Sequence, residues 1–137
     1  MAGFDATALL FHGTLLFFLG LLTGVAAPHL KNSRMGLSSH LVGVQHGIVL
    51  WAVGLITPQL APNPGLHAVM TWSLVLGLYG LWLSMLLAAI WGASRSLPMA
   101  GKGFFASKGR EGIVTALVYG PAVLILIGTG MLLIRLF

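Results

Sequence analysis

Four long stretches without a single Asp, Glu, Lys or Arg dominate this sequence of 137 residues. They cover residues 6–28, 37–60, 67–92 and 113–134. A helix needs about 20 predominantly apolar residues to cross the hydrocarbon core of a bilayer. The sequence therefore predicts an all-α, polytopic membrane protein, with one domain over residues 1–137 built as an up-down bundle of four transmembrane helices.

The composition excludes several classes of protein. Hydrophobic residues make up 58% of the chain and charged residues only 7%, whereas about a quarter of a soluble domain is charged. A water-soluble enzyme is therefore excluded. The absence of cysteine excludes disulfides, thiolate zinc sites and iron–sulfur clusters. The net charge of +5 indicates membrane topology rather than nucleic-acid binding.

The positions of the charges predict an orientation. Lys31 and Arg34 lie between the first two stretches, and four further cations lie in the loop 93–112, whereas the link 61–65 has no charge. Because cytoplasmic loops are enriched in Lys and Arg, we expect both charged loops in the cytoplasm and both termini outside, in a bacterial inner membrane. The loop 93–112 is rich in Gly, Ser and Lys, and we expect it to be mobile.

Glycines share one face of the second predicted helix with a histidine. At about 100° per residue, His40, Gly43, Gly47 and Trp51 fall on one narrow stripe. Small residues at this spacing are typical of close helix packing. The alternative interpretation is a flat slot in which a planar ligand lies against the backbone, and the histidine on the same stripe favours it.

His40 is the strongest candidate for a ligand to a metal. Ser38 and Ser39 suit a helix N-cap, which predicts that His40 lies in the first turn, where the helix dipole disfavours imidazolium. Neutral imidazole is the form that binds metals. A haem on His40 could direct its propionates toward the two cations of the first loop and lay its ring on the stripe glycines.

Other polar or aromatic residues near the middle of the membrane are candidates to contact a substrate, with structural packing as the alternative for each. His46 lies about 240° around the helix from His40, so the two cannot share a ligand plane. Trp51 could wall an aromatic substrate. The hydroxyls of Tyr79 and Tyr119 need partners in lipid and could orient its oxygen or nitrogen.

Three segments of the sequence resemble a known family. The first is 32–41 (Asn-Ser-Arg-Met-Gly-Leu-Ser-Ser-His-Leu), and it continues through Gly43 to residues 54–56. The other two are residues 79–80 and 88–92. The sequence is similar to the hydroxylaminobenzene mutases, small membrane isomerases related to styrene oxide isomerase. The likeness extends over essentially the whole chain.

The resemblance implies an isomerase of aromatic-compound degradation that converts N-arylhydroxylamines, such as hydroxylaminobenzene, to 2-aminophenols by intramolecular hydroxyl transfer. It further implies a homotrimer with haem b, whose iron is the Lewis acid and whose axial ligand is His40. His46 and Ser84 stand where the relatives tend to carry Asn, which puts the orientation of the substrate in doubt. The residues expected to contact the cofactor are His40, Gly43, Gly47, Arg34 and Lys31, with His40 on the metal. The residues expected at the substrate are His46, Tyr79, Tyr119, Trp51 and Ser84.

Three other functions stay open at this point. The first is the rearrangement of an aryl epoxide to an aldehyde. The second is a haem-binding electron-transfer subunit, which would need a second axial histidine at the depth of His40; His12 is predicted to lie too far across the membrane. The third is a structural or transport bundle in which the glycines only pack helices.

Overall fold

The computed structural model describes residues 2–137, with side chains from residue 6 onward. Four of its helices are long and apolar enough to cross a membrane, and the described part of the chain contains no strand. The helices are α1 (Ala2–Ala26), α2 (Ser33–Ile56), α3 (Pro64–Trp91), the short α4 (Pro98–Gly101) and α5 (Lys108–Leu136). The prediction of an all-α chain with four membrane-spanning helices is confirmed.

The predicted starts at residues 37 and 113 are wrong, because polar residues form the first turns of α2 and α5. Asn32 is the N-cap of α2, and its side chain accepts a hydrogen bond from the main-chain N–H of Met35 (3.1 Å). Ser107 caps α5 in the same way. His40 therefore lies two turns inside α2, beyond the first turn in which the helix dipole acts.

The four long helices pack as antiparallel neighbours in the order α1, α2, α3, α5. The buried residues in the middle of α5 recur every seven positions, at Val114, Pro121 and Gly128, and form a single seam. Pro121 packs against Gly77 and Gly80 of α3 at this seam. Because α5 packs mainly on α3, most of its apolar surface faces outward.

Glycines bring the backbones of α1 and α2 into direct contact. A Cβ atom on Gly43 would lie 2.7 Å from the Cα atom of Gly20, and one on Gly47 would lie 2.7 Å from the carbonyl oxygen of Gly13. Helix α1 therefore fills the space beside these glycines. This is the close-packing interpretation, and it leaves no gap between α1 and α2 for a flat ring.

The segment between α3 and α5, expected to be mobile, is anchored at several points. Asn32 is fully buried, and its Nδ2 donates to the carbonyl oxygen of Ala100 (2.9 Å). The buried carboxylate of Glu111 accepts hydrogen bonds from the main-chain N–H groups of residues 94 and 95, at 3.0–3.2 Å. The composition of the segment does not reveal these contacts, since they depend on residues outside it.

Replacing the glycine at the α1–α2 contact tests the close packing. Gly47→Ala should destabilise the protein by about 1–3 kcal/mol, because the added methyl group overpacks the contact and the three atoms nearest to it all belong to α1. Gly130→Ala is the matched control, since a Cβ atom at Gly130 meets nothing within 4 Å, and it should raise stability by up to about 1 kcal/mol. Thermal unfolding of both variants in one detergent measures the difference, and equal effects would contradict the contact.

Removing the Glu111 carboxylate should release the segment between α3 and α5. Hydrogen bonds to a charged group contribute about 1.5–3 kcal/mol each, so Glu111→Ala should speed trypsin cleavage after Arg95 and Lys102 by about tenfold or more. The control is Lys108→Ala, one turn earlier and exposed, which should leave the rate unchanged. Mass spectrometry measures the rate of cleavage. If Glu111→Ala is cleaved at the rate of the unmodified protein, the Glu111 carboxylate does not hold the segment in place.

Candidate functional site

The imidazole of His40 is held by the backbone of α1. Its Nδ1 lies 2.8 Å from the carbonyl oxygen of Gly20. A carbonyl oxygen can only accept a hydrogen bond, so Nδ1 carries the hydrogen and the lone pair of the neutral ring is on Nε2. Histidines that ligate metals usually donate their other ring nitrogen to a carbonyl or carboxylate in this way.

Glycines of α1 make room for this ring. A Cβ atom on Gly24 would lie 2.6 Å from Nδ1 of His40, so a larger residue there would displace the imidazole. The side chain of His40 is half-buried. The ring is thus oriented by α1 while part of it stays at the surface of the chain.

His46 faces a different helix. Its Nδ1 donates to the carbonyl oxygen of Leu78 in α3 (3.0 Å), which again leaves the lone pair on Nε2. The two imidazoles of α2 therefore turn toward α1 and α3 respectively, in agreement with their predicted angular separation.

The side chain of Tyr79 is also hydrogen-bonded to the backbone of α1. Its hydroxyl donates to the main-chain oxygen of His12 (2.9 Å), and its ring meets the His12 imidazole edge-on, with the centroids 5.8 Å apart. The Tyr79 hydroxyl thus already has a partner, and an incoming substrate would have to compete with it.

The remaining substrate candidates lie apart from one another. Trp51 packs on α1, where its Nε1 donates to Thr14 (3.0 Å) and its ring stacks on Phe17. Ser84 is fully buried, with its hydroxyl bonded to a carbonyl of its own helix. Tyr119 is 62% exposed on α5. These residues do not converge with His40 on one site within a single chain.

The two predicted propionate partners are bound to neutral acceptors. Lys31 Nζ donates to the carbonyl oxygens of Trp91 (3.0 Å) and Phe105 (3.2 Å), and Arg34 donates to that of Lys102 (2.6 Å). These contacts tie the first loop to the third. Because carbonyls carry no net charge, these contacts do not neutralise the positive charge at the start of α2.

The donor set suits a haem better than a bare metal ion. Among the described side chains, no group of three or more His, Cys, Asp or Glu residues is close enough to hold a metal. A haem iron takes four ligands from its porphyrin and needs only one or two from the protein. A single oriented imidazole such as His40 meets that requirement.

Sequence reasoning missed two residues that shape this region. Gly20 supplies the carbonyl that orients His40, and no local sequence signal identifies that carbonyl. Asn32 connects the start of α2 to residue 100. Its identity as a preferred N-cap residue directly before a helix was the signal for its capping role.

Comparison with known proteins places the chain among relatives. It is 44% identical to hydroxylaminobenzene mutase HabB of Ectopseudomonas oleovorans over 110 residues, which are 80% of this chain and 67% of that protein. It is 39% identical to hydroxylaminobenzene mutase HabA of the same organism over 114 residues, 82% of this chain and 84% of that one. No solved structure matches.

The sequence model of the styrene oxide isomerase family matches residues 5–137. The match covers all four long helices almost completely, together with the loops that join them. The chain therefore belongs to the styrene oxide isomerase family.

Proposed function

We propose that this membrane isomerase converts N-arylhydroxylamines, such as hydroxylaminobenzene, to 2-aminophenols. The observation that carries this choice of substrate is the 44% and 39% identity to two proteins named hydroxylaminobenzene mutase. The reaction breaks the N–O bond, forms a C–O bond at the ortho carbon and moves that carbon's hydrogen to nitrogen. No external oxidant or reductant is needed.

Haem b is the cofactor in this proposal, and His40 is the residue that would hold its iron. The support is the hydrogen bond from Nδ1 to Gly20, which directs the lone pair of the ring to Nε2. A haem bound there would supply Lewis-acid chemistry for cleavage of the N–O bond. Lys31 and Arg34, which hold no carboxylate, offer positive charge to the propionates near the start of α2.

The protein itself orients the His40 ring and excludes water from the reacting groups. The α1 carbonyl fixes the tautomer and direction of the His40 ring, so that no rearrangement is needed before binding. The apolar surroundings keep water away from an electron-poor aromatic group while the N–O bond breaks. Gly43 and Gly47, which were expected beside the cofactor, contact α1 within one chain.

The proposed assembly is a homo-oligomer, with a trimer implied by the family resemblance. His46, Tyr79, Trp51, Ser84 and Tyr119 do not meet around His40 in one chain, and most of α5 faces outward. A second copy packed beside α1 and α2 would cover the half-buried imidazole, which faces α1. The proposed location is the bacterial inner membrane, with the two basic loops in the cytoplasm.

Isomerisation of an aryl epoxide to an aldehyde is the second candidate. The observation in its favour is the family match itself, which is to styrene oxide isomerase. Both reactions open a bond to oxygen next to an aromatic ring and need no electron donor, so one site could serve either.

Product analysis distinguishes the two substrates. Membranes containing the protein should convert phenylhydroxylamine to 2-aminophenol faster than they convert styrene oxide to phenylacetaldehyde, with both products identified by mass spectrometry. Membranes from cells without the protein are the control. Faster formation of the aldehyde would reverse the order of the two candidates.

Substitution of His40 tests the cofactor. His40→Ala should abolish the Soret band of the purified protein together with the isomerase activity, because the proposed iron ligand is lost. His29→Ala is the control, since His29 is exposed in the short turn that follows α1, and this variant should keep both the Soret band and the activity. A colourless wild-type protein that still isomerises would refute the haem and leave the reaction intact.

A further inference from the structure

A cavity of about 370 Å³ lies at the end of the bundle that carries the basic loops. Its walls are formed by the start of α2, the second half of α3 and the segment 96–100, which includes the short helix α4. Sites for small organic ligands have volumes of about 300–1,000 Å³. The cavity is thus large enough for a molecule built on one aromatic ring.

The lining favours an aromatic ligand with one polar substituent. Met35, Met85 and Met99 contribute three thioethers, and sulfur makes favourable contacts with aromatic rings. Met35 is fully buried and Met99 is 92% exposed, so the cavity extends from the core to the surface. Ser96 also lines it, and the hydroxyl oxygen of Ser96 is buried behind the wall without a hydrogen-bond partner.

The cavity is separate from the His40 site. Ser38 lines it and precedes His40 by two residues, which is about 200° around α2. The imidazole of His40 turns toward Gly20 and Gly24 of α1, whereas α1 contributes nothing to the cavity walls. The two places therefore lie on opposite faces of α2.

We propose that this cavity is an accessory binding site for a single-ring aromatic compound that carries an amino, hydroxylamino or hydroxyl group. The ring contacts the methionines, and the Ser96 hydroxyl turns into the cavity to bond to the polar group, which gives its oxygen the partner it lacks. That such a compound is a substrate or product rests on the proposed function. The site itself rests on the volume, the lining and the unpartnered hydroxyl.

The absence of cysteine from the chain permits a direct test with one introduced thiol. Ser96→Cys places it in the cavity, and the control Phe105→Cys places it in the same segment at a residue that is 81% exposed. The probe is aniline, which has no N–O bond to rearrange. At ten times its Kd, aniline should slow the alkylation of Ser96→Cys by N-ethylmaleimide about tenfold and leave Phe105→Cys unaffected.

Three further variants make the result decisive. Ala100→Phe, combined with Ser96→Cys, should abolish protection by filling the cavity, whereas His40→Ala in the same background should preserve it. Ser38→Cys, on the opposite wall, repeats the test if Ser96→Cys fails to fold. Equal alkylation of both cavity thiols with and without aniline would overturn the site, as would equal protection of Phe105→Cys or a loss of protection with His40→Ala.

Turnover of phenylhydroxylamine by the intact protein is measured in parallel. Protection of the cavity thiol without turnover would leave the site standing and remove the proposed function. Turnover without protection of the cavity thiol would remove the site and leave the proposed function standing.

Discussion

The contact between the glycines of α1 and α2 determines much of what this chain can do. Within a bilayer a polar side chain has no water to bond with, so it must find a partner in the protein. The close approach at Gly20 and Gly43 brings a carbonyl of α1 within reach of His40. That single hydrogen bond satisfies one ring nitrogen and leaves the other with its lone pair. The packing of two helices thus orients the imidazole that is the proposed ligand of the haem iron.

The two ends of the bundle are held together by different chemistry. At the basic end, Lys31 and Arg34 bond to carbonyls of the third loop, and Glu111 accepts from backbone N–H groups. At the other end, Arg135 donates to Nδ1 of His67 (2.8 Å) and to the carbonyl oxygen of Ala61. Arg135 is the one cation on the predicted outer side, and these neutral acceptors account for its place there: it joins the end of α5 to the link between α2 and α3.

The spans could be predicted from the sequence because hydropathy and the absence of charge are local properties of each stretch. Hydropathy alone did not locate the starts of α2 and α5, since these helices begin among polar residues at the N-caps Asn32 and Ser107. His40 could be identified as an ionisable residue inside a span. Its carbonyl partner could not, because it depends on the register of α1 against α2. Equally, only the packed structure shows that Tyr79 is bonded to α1 while Tyr119 faces outward.

The position of α2 between His40 and the cavity constrains how an aromatic compound could move between them. Ser39 donates to the carbonyl oxygen of Trp82, and the Trp82 indole packs against Gly43, so the interface of α2 with α3 is closed at this level. A direct path through the core would have to break this contact. The route must therefore run around α2 along the surface of the chain, through lipid or through the interface with a second copy. Neutral one-ring amines dissolve in both water and hydrocarbon, which makes the edge of the membrane a suitable place to collect them.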